Sequence, residues 1–307
     1  MRPNFPKYNK DSAEVYDLRE VGFKAFVAVA HIHIANAMPP LPPHNHENLF
    51  EISIFHEGMQ LIVVDDEEYI TTGGDVLVIS PGETHSTGNK PRTTGSVHWL
   101  TFEELTGNNN FFKLSVVENR ALRKRLNNLP RRFFKINHEM RSSLDMLMNI
   151  CKDPATPLWK TEVRNLILRF ILALIHQSEN GSNRVTISEP ISRVMQYIQD
   201  NLCDLTPQMP ELAAIIGLSD SRFKTRFLKE VGITPVSYIN TLKMEKAKAL
   251  LCEPGNSISD VAIGLGFGSS QYFATVFKRI TNSTPTQWIN DNVKFRVAFS
   301  HDETELL

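Results

Sequence analysis

Cysteine is scarce in this chain of 307 residues, and the three that occur, Cys151, Cys203 and Cys252, lie far apart. An odd number without a close pair excludes a disulfide framework and provides no cysteine-based metal site. We therefore expect free thiols in a reducing compartment.

Long apolar runs and net charge are also missing. The longest apolar run, Leu166 to Ile175, is interrupted by Arg169 and is too short to span a bilayer. Residues 1–10 are polar and contain proline, unlike a secretory signal. The formal net charge of -1 disfavours a protein that coats nucleic acid non-specifically. We expect a cytoplasmic protein without membrane contact.

The N-terminal third of the sequence has the pattern of a β-domain. From about Phe23 to Phe102, short segments rich in β-branched and aromatic residues alternate with glycine and proline. Short strands at close spacing predict a sandwich or barrel. We assign residues 1–110 to this domain and expect its first 20 residues to form a polar arm.

A helical pattern follows over residues 111–183. Its most apolar stripe lies at helical spacing between Val163 and Ile175 and includes Leu166 and Phe170. Such a stripe either packs within its own domain or covers a partner chain. We expect a paired-helix homodimer interface here, with burial against the chain's own barrel as the alternative. Residues 178–183 are predicted to be a polar linker.

One pattern occurs twice near the C-terminal end. Each copy predicts a short helix, a glycine-containing turn and a second helix, which is a helix-turn-helix unit. After the turn the copies are offset by fifty residues, as in Phe223 and Phe273. Before the turn the offset is forty-nine, as in Gly217 and Gly266, so the second turn carries one extra residue. Two units in one domain suggest two entries into the major groove, ~34 Å apart.

The second helix of each copy has a polar face suited to DNA. The first, residues 220–231, should bury Phe223, Phe227 and Leu228, and a long helix over 235–251 should connect the copies. Polar side chains can reach base edges and cations can reach phosphates. The predicted DNA-binding residues are Ser221, Arg222, Lys224, Thr225 and Lys229 in the first copy, and Ser270, Gln271, Thr275, Lys278 and Arg279 in the second.

These residues resemble the AraC/XylS family of bacterial transcription regulators. The resemblance covers residues 191–289 and includes Gly-x-x-Pro-x-x-Tyr at 232–238 and Tyr-Phe-x-x-x-Phe-Lys at 272–278. The chain departs from the family pattern at Lys243 (usually Arg), Asn282 (usually Gly) and Trp288-Ile289 (usually Tyr-Arg). The resemblance implies double-stranded promoter DNA, RNA polymerase and a second copy of the chain as partners.

A second constellation lies in the β-domain. His44, His46 and Glu51 are followed by His85, and the spacing resembles the two motifs of the cupin barrel. In metal-dependent cupins, these four positions hold a divalent ion. Two imidazoles on one strand face, a carboxylate and a third imidazole are suitable metal ligands.

Three interpretations of this constellation remain open. The favoured one is an effector pocket, in which His44, His46, Glu51 and His85 are polar walls. The second is a metal site at the same residues, and the third is mutual satisfaction of these groups without a ligand. Trp99 and His98 are adjacent on a strand, so only one can face inward, and Trp99 would suit a sugar ring.

The sequence predicts a multi-domain α+β protein that regulates transcription and is not an enzyme. A cupin-like barrel with trailing helices precedes an all-α domain of two helix-turn-helix units, over residues 184–293, and a tail over 294–307. We expect a small polar effector, of carbohydrate type, and no required cofactor. The alternative is a metal-dependent cupin enzyme fused to a DNA-binding domain. The effector, the operator and the sign of regulation are left open.

Overall fold

A computed structural model describes residues 13–21, 23, 27–105, 111–152, 157–180, 187–202 and 208–292. The predicted C-terminal tail, the first part of the arm and residues 181–183 of the linker lie outside these ranges. Two compact units are found. The first comprises residues 1–33, 40–90 and 95–186, and the second comprises 34–39, 91–94 and 187–307.

Two antiparallel sheets form the β-domain of the first unit. The six-stranded sheet has the order β1-β2-β8-β3-β6-β9 and the three-stranded sheet the order β5-β4-β7. The strands are β1 Ala13–Asp17, β2 Val27–Ile34, β3 Leu49–Glu57, β4 Met59–Val64, β5 Glu67–Thr72, β6 Asp75–Ile79, β7 His85–Ser86, β8 Gly95–Glu103 and β9 Phe133–Lys135.

The predicted polar arm over the first 20 residues contains a strand and a buried side chain. Residues 13–17 form β1, which pairs with β2, and Leu18 is buried in the core. The pairing partner lies in a distant segment, so the weak local pattern of these residues did not reveal the strand.

Three helices cover one face of the six-stranded sheet: α1 Val116–Leu126, α2 His138–Lys152 and α3 Trp159–Asn180. They share one hydrophobic core with the strands, so residues 111–180 do not form a separate segment. Helix α3 continues through the predicted linker start at Ser178.

The predicted dimerisation stripe faces this core. Val163, Ile167, Phe170 and Ile171 are at most 1% exposed, and Leu166 packs against the same cluster. The expectation of a homodimer interface at this stripe is therefore wrong, and burial against the chain's own sheet is what occurs. An apolar stripe has the same sequence pattern in both cases.

The second unit is built of helices: α4 Glu189–Asp200, α5 Met209–Ala214, α6 Asp220–Val231, α7 Pro235–Leu250, α8 Ile258–Gly264 and α9 Ser270–Thr281, followed by helical residues 285–292. Helices α5 and α6 form the first helix-turn-helix unit, and α8 and α9 form the second. Gly217 and Gly266 adopt left-handed conformations in the two turns, which glycine permits without steric cost. The extra residue of the second turn is Gly268.

Helix α7 packs on both helix-turn-helix units. Its N-terminal half places Tyr238 against Phe227, with ring centroids 5.7 Å apart. Its C-terminal half contributes Met244 and Ala247 to the core of the second unit. Lys243 is buried on this helix, whereas Leu242 is only partly buried.

Candidate functional site

The register between β3 and β8 decides which side chains face away from the covering helices. Glu51 pairs with Thr101 and Ser53 pairs with Trp99, and directly paired residues share a face. Trp99 therefore lies on the Glu51 side of the sheet. His98 pairs with Ile54, which belongs to the core covered by the helices. Sequence reasoning missed Ser53 and Thr101, although their spacing of two from Glu51 and Trp99 was available.

The histidines of the predicted constellation come together. The ligand atoms of His44, His46 and His85 lie within 4.8 Å of one another. Strand β7 supplies His85, and the backbone of His44 is hydrogen-bonded to it in both directions. The Nδ1 of His44 lies 3.0 Å from the Pro42 carbonyl oxygen. Because this carbonyl can only accept, Nδ1 carries the proton and the Nε2 lone pair is available to a ligand.

Glu51 adds a negative charge to the same cluster. Its Oε2 lies 3.6 Å from the Nε2 of His46 and 3.6 Å from the Nε2 of His85. Burial raises the pKa of the Glu51 carboxyl, but the two imidazoles outweigh burial and bring it down to about 2. Burial lowers the pKa of His85, and the carboxylate more than reverses this, so the pKa is raised. Glu51 is therefore ionised at neutral pH.

His85 is the most unusual member of this cluster. It is 3% exposed, and its ring nitrogens make no hydrogen bond of ordinary length to the described residues, since the Glu51 carboxylate lies 3.6 Å from Nε2. Buried polar atoms are rarely left unpaired in folded proteins. The contact with Glu51 therefore satisfies His85 only in part, and an added polar ligand or metal ion would complete its hydrogen bonding.

A second histidine cluster lies on the opposite, helix-covered face of the sheet. The Nδ1 of His98 is 2.6 Å from the Nε2 of His56, and the ring of His31 stacks on His98. Arg141 lies 3.5 Å from the Nδ1 of His56. Arginine only donates, so His56 accepts at Nδ1 and donates from Nε2 to His98. His31 thus belongs to a packed cluster, whereas His33 is exposed.

Acid is expected to destabilise the first unit through this second cluster. Burial lowers the pKa of His56 to about 4 and that of His98 to about 3. Unfolding at lower pH therefore takes up protons, and the free energy of unfolding falls from pH 6.5 towards pH 4 by up to ~1.4 kcal/mol per pH unit for each proton. Urea unfolding at several pH values measures this slope.

Two matched variants test whether the second histidine cluster causes the loss of stability in acid. His98→Gln removes one buried imidazole and should reduce the slope, whereas His33→Gln, at an exposed position of the same sheet, should leave it unchanged. Equal slopes for His98→Gln and the native chain would contradict the assignment.

The polar face of α6 forms as the sequence predicts. Phe223, Phe227 and Val231 are buried, whereas Leu228, predicted to be buried, is 37% exposed. Leu228 lies one residue beyond Phe227, and the helix turns it toward the surface. The five predicted DNA-binding residues of α6, Ser221, Arg222, Lys224, Thr225 and Lys229, are all exposed.

The cations of α6 differ in their present partners. Lys224 is paired with Asp220 at 2.9 Å, and Arg226 with Glu230 at 2.8 Å. Arg222 and Lys229 form no ion pair within the described part of the chain. These two side chains are therefore immediately available to phosphate or base edges.

Helix α9 presents a less basic face. Gln271, Thr275, Lys278 and Arg279 are exposed, and Ser270 is partly buried. Tyr272 is 57% exposed and was missed from the sequence, although it occupies the same place in its copy as Arg222. The hydroxyl groups of Thr225 and Thr275 both donate to the carbonyl four residues earlier, so the repeat extends to side-chain hydrogen bonds.

The departures from the family pattern are structurally accommodated. Asn282 adopts a left-handed conformation at φ 62°, which asparagine tolerates. The indole of Trp288 donates to the Lys248 carbonyl at 3.1 Å, and Ile289 packs against the core of the second helix-turn-helix unit. Lys243 lies 5.4 Å from the centre of the Phe267 ring, which favours a cation.

Family models match both regions of this chain. Residues 27–144 match an AraC-like ligand binding domain, and residues 212–291 match a helix-turn-helix domain. Among curated proteins, the chain is similar to the HTH-type transcriptional activator RhaS of Escherichia coli strain K12. The two are 24% identical over 256 residues, which cover 80% of this chain and 88% of RhaS.

Similar solved structures include regulators and a DNA complex. The DNA-binding domain of AdpA, solved with a target DNA, is 26% identical over 36% of this chain and 97% of that chain, with a TM-score of 0.34. ToxT from Vibrio cholerae is 12% identical over 91% of this chain and 98% of that chain, with a TM-score of 0.32. No described helix is long and apolar enough to cross a membrane.

Proposed function

The chain belongs to the AraC/XylS family of transcription regulators, and from this premise we propose that a small polar effector in its barrel controls how its two helix-turn-helix units bind promoter DNA. The observation that carries the proposal is the cluster of His44, His46 and His85 around Glu51. The hydrogen bonding of its buried His85 is incomplete, and the cluster lies in the region that matches a ligand-binding domain and precedes the helix-turn-helix domain.

The lining favours a carbohydrate or a related polyhydroxy metabolite. Ionised Glu51 and the Nε2 atom of His44 can accept hydrogen bonds from hydroxyl groups, and Ser53 and Thr101 add small polar groups on the same sheet face. Trp99 offers an apolar ring face to the carbon skeleton of a sugar. The curated relative RhaS is named a transcriptional activator, so RNA polymerase is a further proposed partner.

Thermal-shift measurements on the intact chain should identify the effector class. A sugar or sugar acid at about 100 times its Kd stabilises the folded state by ~2.7 kcal/mol, which raises Tm by several degrees in a unit of this size. Glu51→Gln should abolish most of the shift, because it removes the negative charge shared by the two imidazoles.

Tyr197→Leu is the control, because Tyr197 is an exposed aromatic residue of the other unit and its loss should leave the shift intact. A sugar that stabilises Glu51→Gln as much as the native chain would place its site outside the barrel. Failure of sugars, sugar acids and related metabolites alike to raise Tm would contradict the effector class.

A divalent metal ion is the second candidate for the same cluster. The three imidazoles and the carboxylate are a donor set suited to transition metals, and the buried His85, whose ring nitrogens make no hydrogen bond of ordinary length to the described residues, fits this role. A bound ion would act as a Lewis acid toward an effector's oxygen atoms, and the four side chains would hold it. The same ion could serve an enzyme, but the matched relatives are transcription regulators.

Metal content separates the two candidates. If the metal assignment is right, purified chain should carry stoichiometric Zn, Ni, Fe or Mn that is lost in His46→Ala and retained in His33→Ala, an exposed histidine of the same unit. Chelation should also lower Tm only in chains that hold the ion. Metal-free protein that still responds to a sugar would leave the effector pocket as the sole function of the cluster.

Assembly and cellular compartment complete the proposal. A homodimer would bring two pairs of reading helices to one promoter, and its contact must use a surface other than the buried stripe of α3. A regulator of promoters acts where the genome lies, so we place the chain in the cytoplasm.

A further inference from the structure

Ser188 lies near the start of the longest stretch of the second unit, and its side chain has an unusual hydrogen-bond partner. It occupies the N-cap position of α4, yet its hydroxyl makes no capping hydrogen bond. Serine at an N-cap normally accepts a hydrogen bond from the backbone of its own helix. The hydroxyl of Ser188 instead accepts one from Nη2 of Arg226 on α6, at 3.0 Å.

Two further hydrogen bonds complete a joint between the start of α4 and the DNA-reading helix. The backbone amide of Ser188 donates to Oε2 of Glu230 at 2.8 Å, and Nε of Arg226 donates to Oε1 of Glu230 at 2.8 Å. The side chain of Glu230 is 12% exposed and that of Arg226 is 38% exposed, so the carboxylate is shielded from water while the guanidinium reaches the surface. Exchange of the Ser188 amide proton thus reports directly on the joint.

The position of the joint in the chain suggests its role. The last stretch of the first unit ends at residue 186, and Ser188 lies two residues after it. A displacement of the chain at Ser188 acts on Arg226 and Glu230 of α6. These two side chains are partly buried and lie on the same helix as the exposed Arg222 and Lys229.

We infer that Arg226 and Glu230 are positioning residues that couple the chain at Ser188, where it passes from the first unit into the second, to α6, so that a change in the first unit alters how α6 meets DNA. The inference rests on the DNA-binding function and extends it. Coupling between two sites is reciprocal. DNA that restricts the motion of α6 must therefore also restrict the motion of the backbone at Ser188.

Hydrogen–deuterium exchange of the intact chain with random-sequence duplex DNA at low salt tests this coupling without knowledge of the effector. In the native chain, DNA should slow exchange of the Ser188 amide at least about fivefold, the lower end of typical coupling. In Glu230→Met, DNA should still slow the exposed part of α6 but leave Ser188 unchanged. Glu230→Gln keeps an acceptor oxygen and should restore the response.

Two further variants control for an unpaired charge and for the loss of an unrelated ion pair. The double variant Arg226→Met, Glu230→Met removes both charges and leaves neither unpaired, and it should also uncouple Ser188. Arg193→Met removes an exposed pair with Glu189 on α4 and should keep full coupling. An equal DNA response of Ser188 in the double variant and the native chain would overturn the inference. If duplex DNA leaves the exchange of α6 unchanged in the native chain, the DNA-binding function itself would be refuted.

Discussion

Phe170→Glu is expected to unfold the first unit and not to dissociate a dimer. Phe170 is 1% exposed in the core between α3 and the sheet. Loss of a buried Phe side chain costs ~3–5 kcal/mol, and a buried carboxylate without a partner costs several more. A domain is commonly stable by only ~5–15 kcal/mol. Near-UV circular dichroism and limited proteolysis of the intact chain measure the loss.

The matched control for this variant is on the same helix. Leu172 is 37% exposed, so Leu172→Glu places the same charge two residues away and should change stability by less than ~1 kcal/mol. A folded Phe170→Glu chain with an altered sedimentation coefficient would show that the stripe is a subunit interface after all.

The double variant Arg222→Ala, Lys229→Ala should cause the largest loss of DNA affinity. Both side chains are exposed on α6 without an ion pair among the described residues. Each contact to a base edge is worth ~1–3 kcal/mol. If both reach phosphates instead, the slope of log K against log salt should fall by about 1.8. Fluorescence anisotropy at several salt concentrations distinguishes the two cases.

The double variant Lys113→Ala, Lys124→Ala is the control for a loss of two positive charges outside the DNA-binding unit. It removes two exposed lysines of the first unit and should leave the salt slope close to native. The corresponding loss in α9, Lys278→Ala, Arg279→Ala, should be smaller, because its central reading face is uncharged. A stronger effect in α9 than in α6 would contradict the expectation that the more basic helix α6 contributes more to DNA affinity.

The helices of the DNA-binding unit could be predicted because their signals are local. The prediction of residues 220–231 for α6 agrees with the structure, since Ser219 precedes the helix, Gly232 ends it in a left-handed conformation and the phenylalanines repeat at helical spacing. The one error, Leu228, concerns a side chain at the edge of the buried stripe.

The barrel site could be predicted only in part. The spacing of His44, His46, Glu51 and His85 indicated a common site, but the choice between Trp99 and His98 depends on the register of β8 against β3. The cluster of His31, His56 and His98 could not be predicted, because its members come from three strands that are separated in the sequence. Pairing between distant strands is a tertiary property that local periodicity does not encode.

The wrong prediction for the apolar stripe of α3 has the same cause, because the surface that covers it is decided by tertiary structure. An apolar helix face must be covered, but its sequence does not tell whether a sheet of the same chain or a partner covers it. The joint at Ser188 also depends on tertiary structure, because the serine has the sequence signature of an ordinary N-cap.

The central claim is that both helix-turn-helix units of the intact chain read DNA together. Selection from a randomised duplex library tests it most directly. The account predicts one enriched site with two blocks centred about one helical turn, ~10 bp, apart. Arg222→Ala should weaken preference in one block, and Gln271→Ala should weaken it in the other. An enriched site with a single block, or no enriched sequence at all, would contradict the account.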